Sequence, residues 1–246
     1  MSTIEPLKPK AKSSLRLKAR AAGLLWLMVI VTGLVAFAIR GPLVVRGDAA
    51  ATATNILTNE SWFRLAFVSD LVAGICYVGV SVLLYRLLQP VSRSVSLVAA
   101  FFGLAGVIVG ATSSLNDLAA IGILVSGQSS TAFALSQSQA LAQLSLRVSG
   151  LGFTVAMVFF GLQVILVGIL IGRSTFLPRI LGVLLALGGS SYVISSFATL
   201  LAPALGTRIT PFIVPIALIG EGALTVWLIV KGVNEQRWIE QANTKR

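Results

Sequence analysis

The chain has 246 residues, of which 56% are hydrophobic and 11% charged, against about 45–50% apolar and about 25% charged in an ordinary soluble domain. A water-soluble fold is disfavoured on composition alone. No His is present, which excludes imidazole bases, proton shuttles and ligands, and the lone Cys76 allows neither an intrachain disulfide nor a multi-cysteine metal site. No cofactor or metal is expected.

The net charge is +11, which in a soluble protein would raise the question of nucleic-acid binding. The distribution argues otherwise. Lys8, Lys10, Lys12, Arg16, Lys18 and Arg20 crowd the first 20 residues, Lys231, Arg237, Lys245 and Arg246 lie in the last 16, and most other basic residues flank apolar runs. That is the pattern of a membrane protein obeying the positive-inside rule, and no nucleic-acid partner is needed to explain it.

Residues 1–20 form a basic segment with Pro6 and Pro9, expected to be a cytoplasmic tail that is disordered or laid on anionic lipid. A transmembrane domain over residues 21–232 follows, then a cytoplasmic tail over 233–246. A hydrocarbon core about 30 Å thick needs about 20 apolar residues in a helix. Six such spans are readable, at about 21–39, 65–88, 95–123, 149–171, 177–201 and 211–230. Because lipid satisfies no backbone hydrogen bonds, these runs must be helical, so the expected fold is an all-α polytopic bundle of six transmembrane helices. With the N-terminus inside, 14 Lys and Arg fall on the cytoplasmic side and five, Arg40, Arg46, Arg64, Arg147 and Arg208, on the other; both termini are therefore expected to be cytoplasmic.

Ala36-Phe37-Ala38 resembles a signal cleavage site, but the preceding basic segment is long and the apolar run is nearly a full span, so the first span is read as retained. The first outer loop carries Arg46-Gly47-Asp48. A three-residue adhesion match arises easily by chance, whereas Asp48 before three alanines is chemically suited to cap a helix. The segment from about Ser126 to Leu146 alternates Ser and Gln with Phe133, Leu135, Leu141, Leu144 and Leu146 at roughly helical spacing. It is expected to be an amphipathic helix lying on the outer face or leading into the fourth span.

Small residues indicate where helices meet. Gly106 and Gly110, and Gly168 and Gly172, are spaced as G-x-x-x-G, and Ala99, Gly103, Gly106, Gly110, Ser113 and Asp117 recur three or four apart on one face of the third span. Intramolecular packing is the expected use of that face, ahead of a homodimer seam. Sliding Tyr77–Ala120 onto Phe159–Ala202 matches about ten of 44 positions, suggestive of a duplicated helical hairpin.

The sharpest chemical signal is intramembrane acid. An ionised Asp at mid-membrane costs about 2.5–3.5 kcal/mol on insertion scales, so such residues turn inward and find partners. Asp70 lies six residues after Arg64, about 9 Å along the helix, and Glu221 falls near the middle of the sixth span. The candidate polar pocket comprises Asp70, Tyr77, Asn116, Asp117, Arg147, Gln163, Ser195 and Glu221, opening outward with Arg147 or Arg64 as counter-charge. Its bland meaning is an interhelical network that fixes register; its functional meaning is a set of proton carriers or cation ligands. No catalytic residue is assigned: serine-histidine and H-E-x-x-H chemistry require the missing His, and no G-x-S-x-G elbow occurs.

Several strings carry a resemblance over about residues 20–238: Ala21-Ala22-Gly23, Gly47-Asp48-Ala49-Ala50-Ala51, Phe63-Arg64-Leu65 before Asp70-Leu71, Phe159-Phe160-Gly161-Leu162, Phe176-Leu177-Pro178-Arg179, Ile219-Gly220-Glu221 and Trp227-Leu228-Ile229-Val230. In this order they resemble the bacterial membrane family termed domain of unknown function 4386. The resemblance implies a six-helix integral protein of the bacterial cytoplasmic membrane and supplies no activity. Where that family often has Cys-Asp this chain has Cys76-Tyr77, and where it often has His this chain has Arg147 and Gln163, which weakens any metal-binding or proton-relay role implied there. Asp70 and Glu221 stand at matching positions. The expected role is structural or accessory, without enzymatic activity; the alternative is a small transporter or ligand receptor using the same carboxylates, with a small ligand or ion as partner.

Overall fold

The computed structural model describes residues 9–129 and 134–244. Lys8, Phe133, Lys245 and Arg246, named above, lie outside the described residues. The chain forms α1 (Pro9–Leu43), α2 (Ala49–Thr58), α3 (Glu60–Leu88), α4 (Arg93–Ser129), α5 (Leu135–Arg173), α6 (Arg179–Leu201), α7 (Pro203–Val230) and α8 (Glu235–Thr244). Six of these, all but α2 and α8, are long and apolar enough to cross a membrane. They alternate in direction, each packs on its neighbour in the chain, and α1 packs on α7, so the six close into a ring.

The outside of the ring is apolar. Phe37, Ile75 and Leu201 are 75%, 74% and 81% exposed, and dozens of other Leu, Ile, Val and Phe side chains join them. A soluble protein does not leave so continuous an apolar surface uncovered. Two buried clusters fill the ring. The larger runs from Leu15 and Ala19 through Trp26, Val80, Leu185 and Leu228 to Val233 at the end bearing the termini. The smaller, with Leu43, Ile56, Phe63, Ile121 and Leu124, lies at the opposite end.

Close backbone approach joins the helices. The small-residue face foreseen on α4 is its contact with α5: Gly106 lies against the Phe160 ring, Gly110 against Ala156 and Ser113 against Gly152. The partners advance in antiparallel step. Gly103 makes room for the Gln163 amide, which a Cβ would strike. Between α5 and α6, Gly161 faces Gly189 and Gly168 faces Gly182, backbone against backbone. The two segments compared as a duplicated hairpin both form hairpins turning at the same end, but Gly79 meets Leu25 of α1 whereas Gly161 meets α6, so their packing differs.

Several boundaries differ from the sequence reading. The first helix begins at Pro9, and Leu15 and Ala19 belong to the core, so the segment expected to be a tail disordered or laid on anionic lipid is helical, not disordered, from Pro9 onward. The sixth span extends back to Pro203, with Pro211 and Pro215 inside the helix; prolines are tolerated where neighbouring helices and Thr hydroxyls re-satisfy the backbone. Of the segment expected to be amphipathic, residues 126–129 end α4, residues 130–133 lie outside the described residues, and Leu135 onward leads into α5, where Ser138 lies against Gly127 of α4. At 37 and 39 residues, α4 and α5 are about 55 Å long or more at about 1.5 Å per residue, exceeding the hydrocarbon thickness.

Two short helices close the ends. Asp48 caps α2, its side chain accepting from the Ala51 amide at 2.8 Å, as its position before three alanines predicts. Thr52 and Ile56 bury this helix against the bundle. At the other end Gly232, with φ of 67°, stops α7 in a left-handed conformation that suits glycine and turns the chain into α8. That helix is docked: Trp238 Nε1 donates to Leu87 O at 2.8 Å, and Gln241 Oε1 accepts from the Thr175 amide at 3.0 Å.

A Cβ on Gly182 would stand 2.5 Å from Gly168 O and 2.7 Å from Gly172 N, whereas one on Gly172 would meet nothing within 4 Å. Gly182→Ala should therefore lower stability by about 1–3 kcal/mol, the usual cost of overpacking. Gly172→Ala should leave the thermal midpoint in detergent unchanged or slightly raised; equal losses in the two variants would contradict this packing.

Candidate functional site

The residues expected to form one pocket divide among several places. The first is an ionic cluster on three helices. Arg40, near the end of α1, pairs through Nη2 with Asp70 Oδ2 of α3 and, at 3.1 Å, with Asp117 Oδ2 of α4. Ser149 of α5 lies beside the Asp117 carboxylate. The Asp117 side chain is 7% exposed, those of Arg40 and Asp70 25% and 30%. Phe63 and Leu124 of the smaller core cluster lie further toward the end capped by α2, so the ions sit between two apolar layers. Two carboxylates share one guanidinium, and Arg40 Nε is buried without a hydrogen-bond partner.

The counter-charge is thus Arg40. Arg64 instead pairs with Glu60 one turn back, at 2.7 Å, and Arg147 is exposed with no ion-pair partner among the described residues. Arg40 ends an apolar run and reads as a boundary residue; its length and the snorkelling habit of arginine were the available signal that it could reach inward.

Glu221 belongs to a second cluster. Its Oε2 accepts from Trp26 Nε1 of α1 at 3.2 Å, and the Tyr192 hydroxyl of α6 lies close by. Tyr77 of α3 packs edge-on against Trp26, with ring centroids 6.5 Å apart, and against Phe160 of α5 at 4.7 Å. Glu221 therefore lies between its two flanking helices inside an aromatic wall. Trp26 and Tyr192 escape sequence reasoning because nothing in an apolar run tells which indole or phenol faces inward. One turn along α7, Thr225 is buried and its Oγ1 has no partner.

The remaining residues stand apart. Gln163 of α5 donates through Nε2 to Ser81 Oγ of α3 at 2.9 Å; its Oε1 is buried and unpartnered, and the gap beside it has no room for a water molecule. Ser195 of α6 bonds Thr210 of α7 at 3.2 Å. Among the described residues, Asn116 bonds only the Ser113 carbonyl of its own helix, at 3.0 Å. Asp70 and Glu221 thus sit in separate clusters, and a single pocket holding both is not formed. Physically, each acid takes the nearest donors from adjacent ring helices. Among the described residues no group of three or more Cys, Asp or Glu is positioned to hold a metal ion.

An uncharacterized protein of Archaeoglobus fulgidus is 27% identical over 160 residues, covering 63% of this chain and 76% of that protein. No solved structure matches the chain. Residues 21–232 match the family described as Domain of unknown function (DUF4386), and the chain belongs to that family.

Proposed function

We propose that this chain is a multipass protein of the bacterial cytoplasmic membrane with both termini in the cytoplasm, that its role is structural or accessory rather than enzymatic, and that the carboxylates within its spans are ties between helices. One observation carries this reading: Asp70, Asp117 and Glu221 are each engaged by donors from other helices. Paired this way, a charge fixes helix register and rotation, because shifting either helix would strand it in a poorly solvating interior. The N-terminal basic residues supply an electrostatic hold on anionic lipid.

The alternative, a small transporter or receptor for an ion or small ligand, has one feature in its favour. The Arg40 cluster carries two acids for one base, and Asp70 is partly exposed, so this carboxylate could exchange a partner. Thermal stability and flux in proteoliposomes separate the two readings. Under the structural one, Arg40→Gln strands two acids and lowers stability by about 2–4 kcal/mol, more than Asp70→Asn does, and neutralising all three charged residues together restores much of the loss. Proton flux abolished by Asp70→Asn or Glu221→Gln at unchanged stability would favour transport instead.

Orientation is tested with Cys76→Ser as background. Ala50→Cys, at the end capped by α2, should react with an impermeant maleimide in intact cells, and Gln89→Cys, in the turn before α4, only after lysis. The reverse pattern would invert the topology.

A further inference from the structure

A groove of about 510 Å³ opens at the end bearing the termini, bordered by α1, by the turn from α7 into α8, and by Phe176. The volume lies within the range of small-ligand sites, about 300–1,000 Å³. Its lining combines Arg16 and Lys231 with the carboxylate of Glu235 and the indole of Trp227. Glu235 Oε1 lies 3.3 Å from Arg16 Nε without the geometry of a hydrogen bond, and Arg16 stays 64% exposed. Arg16 therefore keeps free donors, Lys231 is exposed with no ion-pair partner among the described residues, and the three charges sum to one positive.

The surroundings distinguish a lipid from a soluble anion. Leu17 beside Arg16 and Val230 beside Lys231 are 69% and 61% exposed, continuing the apolar outer surface of α1 and α7 to the groove. Trp227 stands three residues from the end of α7, the depth at which indoles favour a membrane interface. A charged hollow at the end of two spans, with apolar walls leading away, matches a molecule whose phosphate is joined to acyl chains.

We propose that this groove binds the headgroup of an anionic phospholipid, with Lys231 and Arg16 on the phosphodiester and the acyl chains along α1 and α7. The site goes beyond the interhelical ties and does not depend on them. It also differs from a diffuse attraction of the basic N-terminus, because it assigns the preference to named side chains in one concavity.

Native mass spectrometry of the detergent-purified full chain, titrated with phosphatidylglycerol or phosphatidylcholine of the same acyl chains, tests the proposal. Phosphatidylglycerol should bind at least about fivefold more tightly, the worth of one basic contact. Lys231→Gln should remove about fivefold of that preference, and Lys231→Arg should retain it. Arg93→Gln, which removes the same charge at the same end but on α4, should also retain it. Equal binding of the two lipids by the unmodified chain, an unchanged preference in Lys231→Gln, or an equal loss in Arg93→Gln would each overturn the site. Glycerol phosphate is the soluble arm: displacement of phosphatidylglycerol at comparable concentration would overturn the lipid assignment in favour of a free phosphate ester.

Discussion

Helices whose outward surfaces are as greasy as their inward ones gain little from hiding one apolar side chain against another. What remains to hold them is close contact and inward polarity. This constraint shapes the molecule. Where α4 meets α5 and α5 meets α6, the helices approach most closely at Gly, Ala and Ser, because dispersion falls steeply with distance and a missing side chain lets the partner come near. Polar groups then join helices that lie within reach of one another.

The polar groups are layered. Toward the α2 end, one guanidinium gathers carboxylates from two other helices; nearer the termini, one carboxylate gathers an indole and a phenol. The two arrangements are complements: in the first a donor is central, in the second an acceptor. Gln163 with Ser81 adds a neutral contact between α3 and α5, and Gly103 leaves the space that this amide occupies. Each layer involves at least two helices that are not consecutive spans or that meet across the ring closure, so the layers supply contacts that short turns cannot.

Much of this was legible in the sequence. The six spans follow from length and hydropathy, and the α4 face follows from the three-and-four spacing of its small residues, a periodicity that survives whatever the partner is. Asp48 announced its cap through side-chain chemistry alone. Less legible was who pairs with whom. Asp70 and Glu221 stand out in the sequence as acids within apolar runs, but their partners depend on how each helix is rotated about its axis, which hydropathy does not encode. Arg40 read as the border of a span and proved to be the hub of a cluster. The docked α8 was hidden for another reason: its charged, amide-rich sequence resembles a solvated tail, and only Trp238 hinted that one side was meant to be covered.

The closure of the ring has a mechanical consequence. Most neighbouring spans are leashed by a short turn, which keeps their effective concentration high even when contacts loosen. The first and last spans have no such leash; α1 and α7 are held by packing such as Gly23 against Leu228 and Ile229, by the bond from Trp26 to Glu221, and at the margin by Arg16 with Glu235. A barrel of staves fails first at the stave joint without a hoop. That joint therefore depends on side-chain contacts alone, and a peptide bridge sewn between the two chain ends would act as the absent hoop.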